Sequence, residues 1–300
     1  QRAAARLAKV SHASSTVEMG GQRTENLIPK PSDDGPRGAV ISSGVPDNDS
    51  AIVTVSPTSL AANGIVLPGS APSRTVEEFR AIKRHIGTNN LRPQNPSVAN
   101  GSAIGRVVLI TSARPGEGKT FTAINLALAL AYEKDTRVLL MDGDAYRQSL
   151  LAYLGISAQG GWLDVVSSAP ALAREFTLQT NVPNLSILPA GAKRAEIPEL
   201  MASRHMRDLL NTLVQEDLNR YVIIDSLPCL ASTEPAILAA LAAQTIFVVA
   251  AHQTSRDEIE SSLRLLSASP SVNLILNKAK PVLTEQFAGY GYGYAGGYGP

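Results

Sequence analysis

Apolar residues in this chain fall into short unbroken blocks separated by polar stretches. Val107-Val108-Leu109-Ile110, Val138-Leu139-Leu140-Met141, Val222-Ile223-Ile224 and Ile246-Phe247-Val248-Val249 show no polar alternation. Blocks of this kind belong to strands buried on both faces, as in parallel sheets. The pattern predicts strands over 106–111, 138–142, 185–189, 221–225, 245–250 and 273–277. Between them the spacing becomes helical, over 119–132, 203–218, 234–243 and 255–267, with shorter pieces between 146 and 175. Residues 75–86 carry apolar groups at 76, 79, 82 and 86, the spacing of one helix face, and a polar loop is expected over 87–103. Strand–helix alternation predicts an α/β fold with a mostly parallel sheet covered by helices on both faces.

The two ends break this pattern. Residues 1–72 are rich in Ser, Ala, Gly, Pro and Asn without a sustained period, which predicts a flexible N-terminal arm. Residues 287–300 read Phe-Ala-Gly-Tyr-Gly-Tyr-Gly-Tyr-Ala-Gly-Gly-Tyr-Gly-Pro. The interleaved glycines oppose helix and weaken strand, so a mobile Gly/Tyr-rich C-terminal tail is expected, with its phenol rings in solvent. The organisation is therefore an arm over 1–72, an α/β domain over 73–283 and a tyrosine-rich tail over 284–300.

Charge and cysteine content narrow the classes. The net charge is +1, so no basic footprint points to nucleic acid. The single cysteine, Cys229, leaves no disulfide framework within the chain, and a reducing, cytoplasmic setting is the expectation. The longest apolar stretch, 236–251, is interrupted by Gln244 and Thr245 and is short for a bilayer; it reads as a buried helix running into a buried strand.

The chemistry begins between the first strand and its helix. Residues 113–120 read Ala-Arg-Pro-Gly-Glu-Gly-Lys-Thr. A glycine-rich turn there aims backbone N–H groups and a helix N-terminus at phosphate oxygens. The usual pattern is G-x-x-x-x-G-K-[ST], and Ala113 replaces its first glycine. Lys119 would reach the β- and γ-phosphates of a nucleoside triphosphate, and the Thr120 hydroxyl would ligate Mg²⁺. The expected nucleotide contacts are Pro115, Gly116, Glu117, Gly118, Lys119, Thr120 and Phe121.

Two strands end in acids: 138–144 closes on Asp142-Gly143-Asp144, and 221–225 closes on Asp225. In a parallel sheet those ends share one edge with the phosphate loop. Mg²⁺ takes hard oxygen ligands, one or two carboxylates beside phosphate oxygens and water. Thr120 and Asp142, with Asp225 through water, are the expected metal set. Lys119, Asp142, Asp144 and Asp225 are the expected catalytic set, since phosphoryl transfer asks for positioning and charge neutralisation. A phenol acceptor has a pKa near about 10, so a carboxylate, Asp142 or Asp144, would take its proton.

Together these segments resemble the bacterial tyrosine kinases, the P-loop autokinases of polysaccharide export. The resemblance covers about residues 75–300 and is strongest to the exosortase-associated branch. Ala113–Thr120 is similar to that family's Walker A, Val138–Asp144 with Arg147 to its Walker A′, and Val222–Asp225 with Ser226 and Pro228 to its Walker B. Glu77, Arg80 and Lys83 resemble a helix motif linked to ring-like self-association, with Lys83 in place of the second arginine. Leu227 and Phe121 also depart from the family's usual residues. The resemblance implies ATP and Mg²⁺ as cofactors and Tyr290, Tyr292, Tyr294 and Tyr298 as autophosphorylated acceptors. It implies that Asn277 contacts adenine. It further implies self-assembly, a membrane chain-length-determinant (co-polymerase) partner that holds the protein at the inner membrane, and a cognate phosphatase.

Two other readings share the loop. A partition or division-site ATPase would usually carry Lys-Gly-Gly-x-Gly-Lys-Thr, where this chain has Arg114-Pro115. The other is a nucleotide-binding adaptor that signals through its assembly state without catalysis; the intact Lys119-Thr120 pair and the three aspartates argue against a dead site.

Overall fold

The computed structural model describes residues 52–67, 74–89, 104–168, 173–193 and 195–279. In chain order, α1 (Pro57–Ala62) and α2 (Arg74–Asn89) precede β1 (Ile104–Ser112), α3 (Lys119–Ala131) and β2 (Arg137–Asp142). Then come α4 (Ser149–Leu154), α5 (Trp162–Ser168), α6 (Ala173–Phe176), β3 (Leu178–Gln179) and β4 (Leu185–Leu188). The chain continues through α7 (Ile197–Ala202), α8 (Arg204–Gln215), β5 (Arg220–Asp225), α9 (Glu234–Leu241), β6 (Ala242–Ala250), α10 (Arg256–Leu265) and β7 (Val272–Asn277).

Among the described residues the sheet runs β3-β4-β2-β5-β1-β6-β7. Every neighbouring pair is parallel except β3–β4. Side chains alternate across a strand, and here both sets are buried. Val107, Leu139, Val222 and Phe247 join one core cluster, and their neighbours Val108, Leu140, Ile223 and Val248 join the other. The first cluster lies under α5, α7, α8 and α9; the second lies under α1, α2 and α3. This two-sided burial explains why the strand sequences lack polar alternation. The apolar run at 236–251 is α9 passing directly into β6, and no helix among the described residues is long and apolar enough to cross a membrane.

Two expectations need correction. The arm expected over 1–72 does not extend through 52–67, which pack against the domain. Ser56 caps α1 by accepting the Ser59 N–H, Pro57 occupies the first turn, and Val55, Leu60 and Ile65 are buried. Helix α2 continues to Asn89, beyond the expected end at 86. Strand β3, an antiparallel edge of two residues, and the short helix α7 carry too few residues to show a period. The rest of the arm and the whole tail over 284–300, with Tyr290, Tyr292, Tyr294 and Tyr298, lie outside the described residues.

Candidate functional site

Strand β1 delivers the loop 113–118 to the carboxyl edge of the sheet, and α3 starts at Lys119. The loop turns through Gly116 (φ 83°) and Gly118 (φ 100°), a left-handed backbone that glycine adopts without steric cost. Gly118 also has no room for a side chain, because a Cβ would lie 1.9 Å from Asn277 Nδ2. Around Gly116 nothing lies within 4 Å of where a Cβ would stand, so that peptide faces open space. Ala113, in place of the usual first glycine, is absent from the positive-φ positions and is fully buried, so its methyl group is accommodated without backbone strain.

The acids meet at the same edge. Asp142 and Asp225 are register partners on β2 and β5. Gly143 N–H donates to the Asp225 carbonyl at 2.7 Å, and a Cβ on Gly143 would stand 2.8 Å from that oxygen. Asp144 N–H donates to Asp142 Oδ1 at 3.1 Å, while Arg147 N–H donates to Asp144 Oδ1 at 3.0 Å. Lys119 Nζ lies 3.9 Å from Asp144 Oδ2, with the lysine only 8% exposed. The indole N–H of Trp162, from α5, donates to the Asp142 carbonyl at 2.8 Å and holds the end of β2 from below.

The electrostatics of these acids are unusual. Asp142 Oδ2 and both carboxylate oxygens of Asp225 are buried without a hydrogen-bond partner. Burial, and then the charge of Asp225, push the Asp142 carboxyl up to about 8. Burial pushes Asp225 up to about 6, with the charge of the Lys119 ammonium pulling the other way. Buried carboxylate oxygens without partners are unfavourable unless a cation joins them. Among the described residues no three His, Cys, Asp or Glu side chains form a closed metal cage. Mg²⁺ does not require one, since it keeps water and phosphate oxygens in its shell. The orphaned oxygens of Asp142 and Asp225, with the Thr120 hydroxyl at the head of α3, fit such an ion.

The other sequence candidates are placed as follows. Pro115 and Gly116 are exposed at the loop tip. The Glu117 side chain turns inward, accepting the Arg114 N–H at 2.7 Å and the Thr254 hydroxyl. The Phe121 ring packs edge-on against Phe79 of α2, at 6.0 Å between centroids, which leaves its main chain for any contact at the loop. Asn277 donates its amide to the Glu117 carbonyl at 2.9 Å and accepts the Lys278 N–H at 2.8 Å. These two bonds use one amide hydrogen and the carbonyl oxygen of Asn277. Glu77 and Arg80 pair with each other on the exposed side of α2. Lys83 instead pairs with Glu133 and is 18% exposed, with its pKa lowered by burial and by Arg80 and Arg84. It is the least exposed of the three.

Sequence reasoning missed Gly143 as the close-approach point between the two acids, and Trp162 as their support. The chain's only tryptophan was visible, but its partner is a main-chain oxygen. It also missed Tyr146, whose hydroxyl donates to Glu234 Oε1 at 2.8 Å beside Asp144 and whose pKa burial and Glu234 push up to about 12.

A family model described as an AAA domain matches residues 105–272, from β1 to the start of β7. The tyrosine-protein kinase ptk of Acinetobacter johnsonii is 31% identical over 196 residues, 64% of this chain but 26% of that protein, so this chain spans about a quarter of that relative's length. The tyrosine-protein kinase CpsD of Streptococcus pneumoniae is 26% identical over 197 residues, 65% of this chain and 84% of that protein. The solved kinase domain of Escherichia coli tyrosine kinase ETK superposes with a TM-score of 0.60 at 22% identity, over 70% of this chain and 77% of that one, a likeness of fold. The chain thus belongs to the AAA domain family, with the fold of a P-loop NTPase, and within it is similar to bacterial tyrosine-protein kinases.

Proposed function

We propose that this chain is an ATP-dependent protein-tyrosine autokinase that phosphorylates its own C-terminal cluster, Tyr290, Tyr292, Tyr294 and Tyr298, and so regulates exopolysaccharide production. The observation that carries the reading is the meeting of Asp142 and Asp225 in register beside the Lys119 ammonium. The tyrosine-kinase names of the relatives support it, as does the tyrosine-rich tail.

In this reading the loop 115–120 binds the triphosphate of ATP through its peptide N–H groups, and Lys119 offsets charge on the transferred phosphoryl group. Thr120 and Asp142, with Asp225 through water, would hold Mg²⁺, which when bound would neutralise phosphate oxygens. With Asp142 committed to the ion, Asp144 would serve as base. Its Oδ2 takes the phenol proton as the tyrosine O–P bond forms and the bond to the leaving ADP breaks. The Arg147 amide holds the opposite oxygen of Asp144, so the carboxylate is fixed in orientation. Asn277 contacts the adenine with its remaining N–H.

The same reading gives the wider setting. Copies of the chain associate through the Glu77–Arg80 face of α2. The protein lies in the cytoplasm, held at the inner membrane by a chain-length-determinant partner, and a cognate phosphatase resets the tail. Placement in the exosortase-associated branch rests on the sequence resemblance.

Purified protein with labelled ATP and Mg²⁺ tests the proposal. Label is expected on the intact chain and absent from Lys119→Met and from a deletion of 284–300. Label retained by the tail deletion displaces the acceptors; label retained by Lys119→Met overturns the site.

A further inference from the structure

Glu117 is 3% exposed, although its loop neighbours Arg114, Pro115 and Gly116 are open to solvent. Burying a carboxylate is costly unless its oxygens are hydrogen-bonded. Both are. Oε2 accepts the Arg114 N–H at 2.7 Å, and Oε1 accepts the Thr254 hydroxyl. The Thr254 oxygen in turn accepts the Ala250 N–H at 3.0 Å, which anchors it to the end of β6. The Glu117 carbonyl accepts from Asn277 at the end of β7. On the outside, the Arg114 guanidinium pairs with Glu258 in the first turn of α10 at 3.1 Å.

One residue therefore joins the start of the loop, the turn after β6 and the last strand. The loop needs such a tie. Gly116 and Gly118 supply its left-handed backbone but carry no side chains to hold it. Peptide dipoles aimed at phosphate are effective to the extent that they are oriented before the ligand arrives.

We propose that Glu117 is a positioning residue that fixes the phosphate-binding loop, with the Thr254 hydroxyl as its anchor. The inference rests on the nucleotide-site reading above. It assigns the Glu117 side chain to the shape of the loop and not to the nucleotide. Its signature is selective: contacts to the β- and γ-phosphates weaken when the tie is cut, and contacts to the rest of the nucleotide do not.

Titration calorimetry of the full chain with ATP and with AMP reads the ratio of the two affinities. Glu117→Ala is expected to lower that ratio about tenfold or more, the scale of hydrogen bonds to a charged group. Thr254→Val, which keeps the side chain's shape, is expected to move the ratio in the same direction by less. Glu117→Gln retains an acceptor for the Arg114 N–H and is expected to restore most of it. Lys119→Ala is the control for the site. Unchanged ATP binding in that variant removes the nucleotide-site reading itself. ATP binding lost in Lys119→Ala, with an unchanged ratio in Glu117→Ala and Thr254→Val, overturns the positioning role alone. Equal losses for ATP and AMP also overturn it, because they report general damage. Where Glu117→Ala does not fold, the ratio in Thr254→Val decides.

Discussion

Asp142 and Asp225 stand opposite each other on adjacent parallel strands, and Gly143 N–H ties the first strand's exit to the second's terminal carbonyl at 2.7 Å. Neighbouring strands are roughly 4.8 Å apart, so two acids in register are forced into mutual repulsion. A charged lysine 3.9 Å from Asp144 completes the cluster. The arrangement is unfavourable when empty and suited to a cation beside a polyanion.

Stability without ligands should fall as pH rises. Asp142 and Asp225 are raised to about 8 and about 6 from 3.8 in the folded state. The folded protein therefore holds protons that the unfolded chain releases. The stabilisation is present in full below the unfolded value and is lost as pH rises through about 6 and then about 8. Scanning calorimetry without Mg²⁺ or nucleotide is expected to show a lower Tm at alkaline than at mildly acidic pH, with a smaller difference in Asp142→Asn. A Tm independent of pH in this range would contradict the burial of these acids.

Binding of Mg-nucleotide should release protons. At neutral pH Asp142 is mostly protonated and Asp225 mostly ionised, so roughly one proton leaves when a cation arrives. Calorimetric titrations in buffers of different ionisation enthalpy measure that number directly. In Asp142→Asn the release is expected to fall towards zero.

Gly143→Ala should separate the two acids. The new methyl group would meet the Asp225 carbonyl and Ile224 Cγ2, both at 2.8 Å. Overpacking of this kind costs about 1–3 kcal/mol. Urea unfolding should report a loss in that range, and Mg-nucleotide affinity should drop as β2 and β5 move apart. A variant as stable as the parent would show that the strand ends yield easily.

Trp162→Phe keeps the aromatic bulk and removes the N–H that supports the Asp142 carbonyl. Leaving a buried carbonyl without its partner costs about 1–3 kcal/mol. The loss should appear in denaturant unfolding and is expected to exceed that of a surface substitution. Because the chain has one tryptophan, its emission in the parent protein should also shift when Mg-nucleotide binds.

How much of this was legible follows from the residues themselves. Strands β1, β2 and β5 could be read because both of their faces are buried, which leaves unbroken apolar runs. The acids that end β2 and β5 could be read because a parallel sheet sends all such ends to one edge. The packed segment at 52–67 could not be read. It contributes Val55, Leu60 and Ile65 to the core from within a Ser-, Pro- and Asn-rich stretch, and a few anchors make no period. The inward turn of Glu117 was equally hidden. Its partner Thr254 lies 137 positions away in the chain, and a glutamate in a glycine-rich loop looks solvent-facing until the two are folded together. Lys83 could be matched to a motif, but its pairing with Glu133 depends on where α2 docks.

Helix α3 is sunk in the core along almost its entire length, from Lys119 and Thr120 through Leu130 and Ala131. A segment enclosed this completely has no local opening of its own, so its hydrogen-bonded amides, from Thr122 onward, should exchange with solvent only when the whole domain unfolds. The lysine and threonine at its head inherit that permanence. Their positions endure for as long as the folded domain itself, and they are lost only with it.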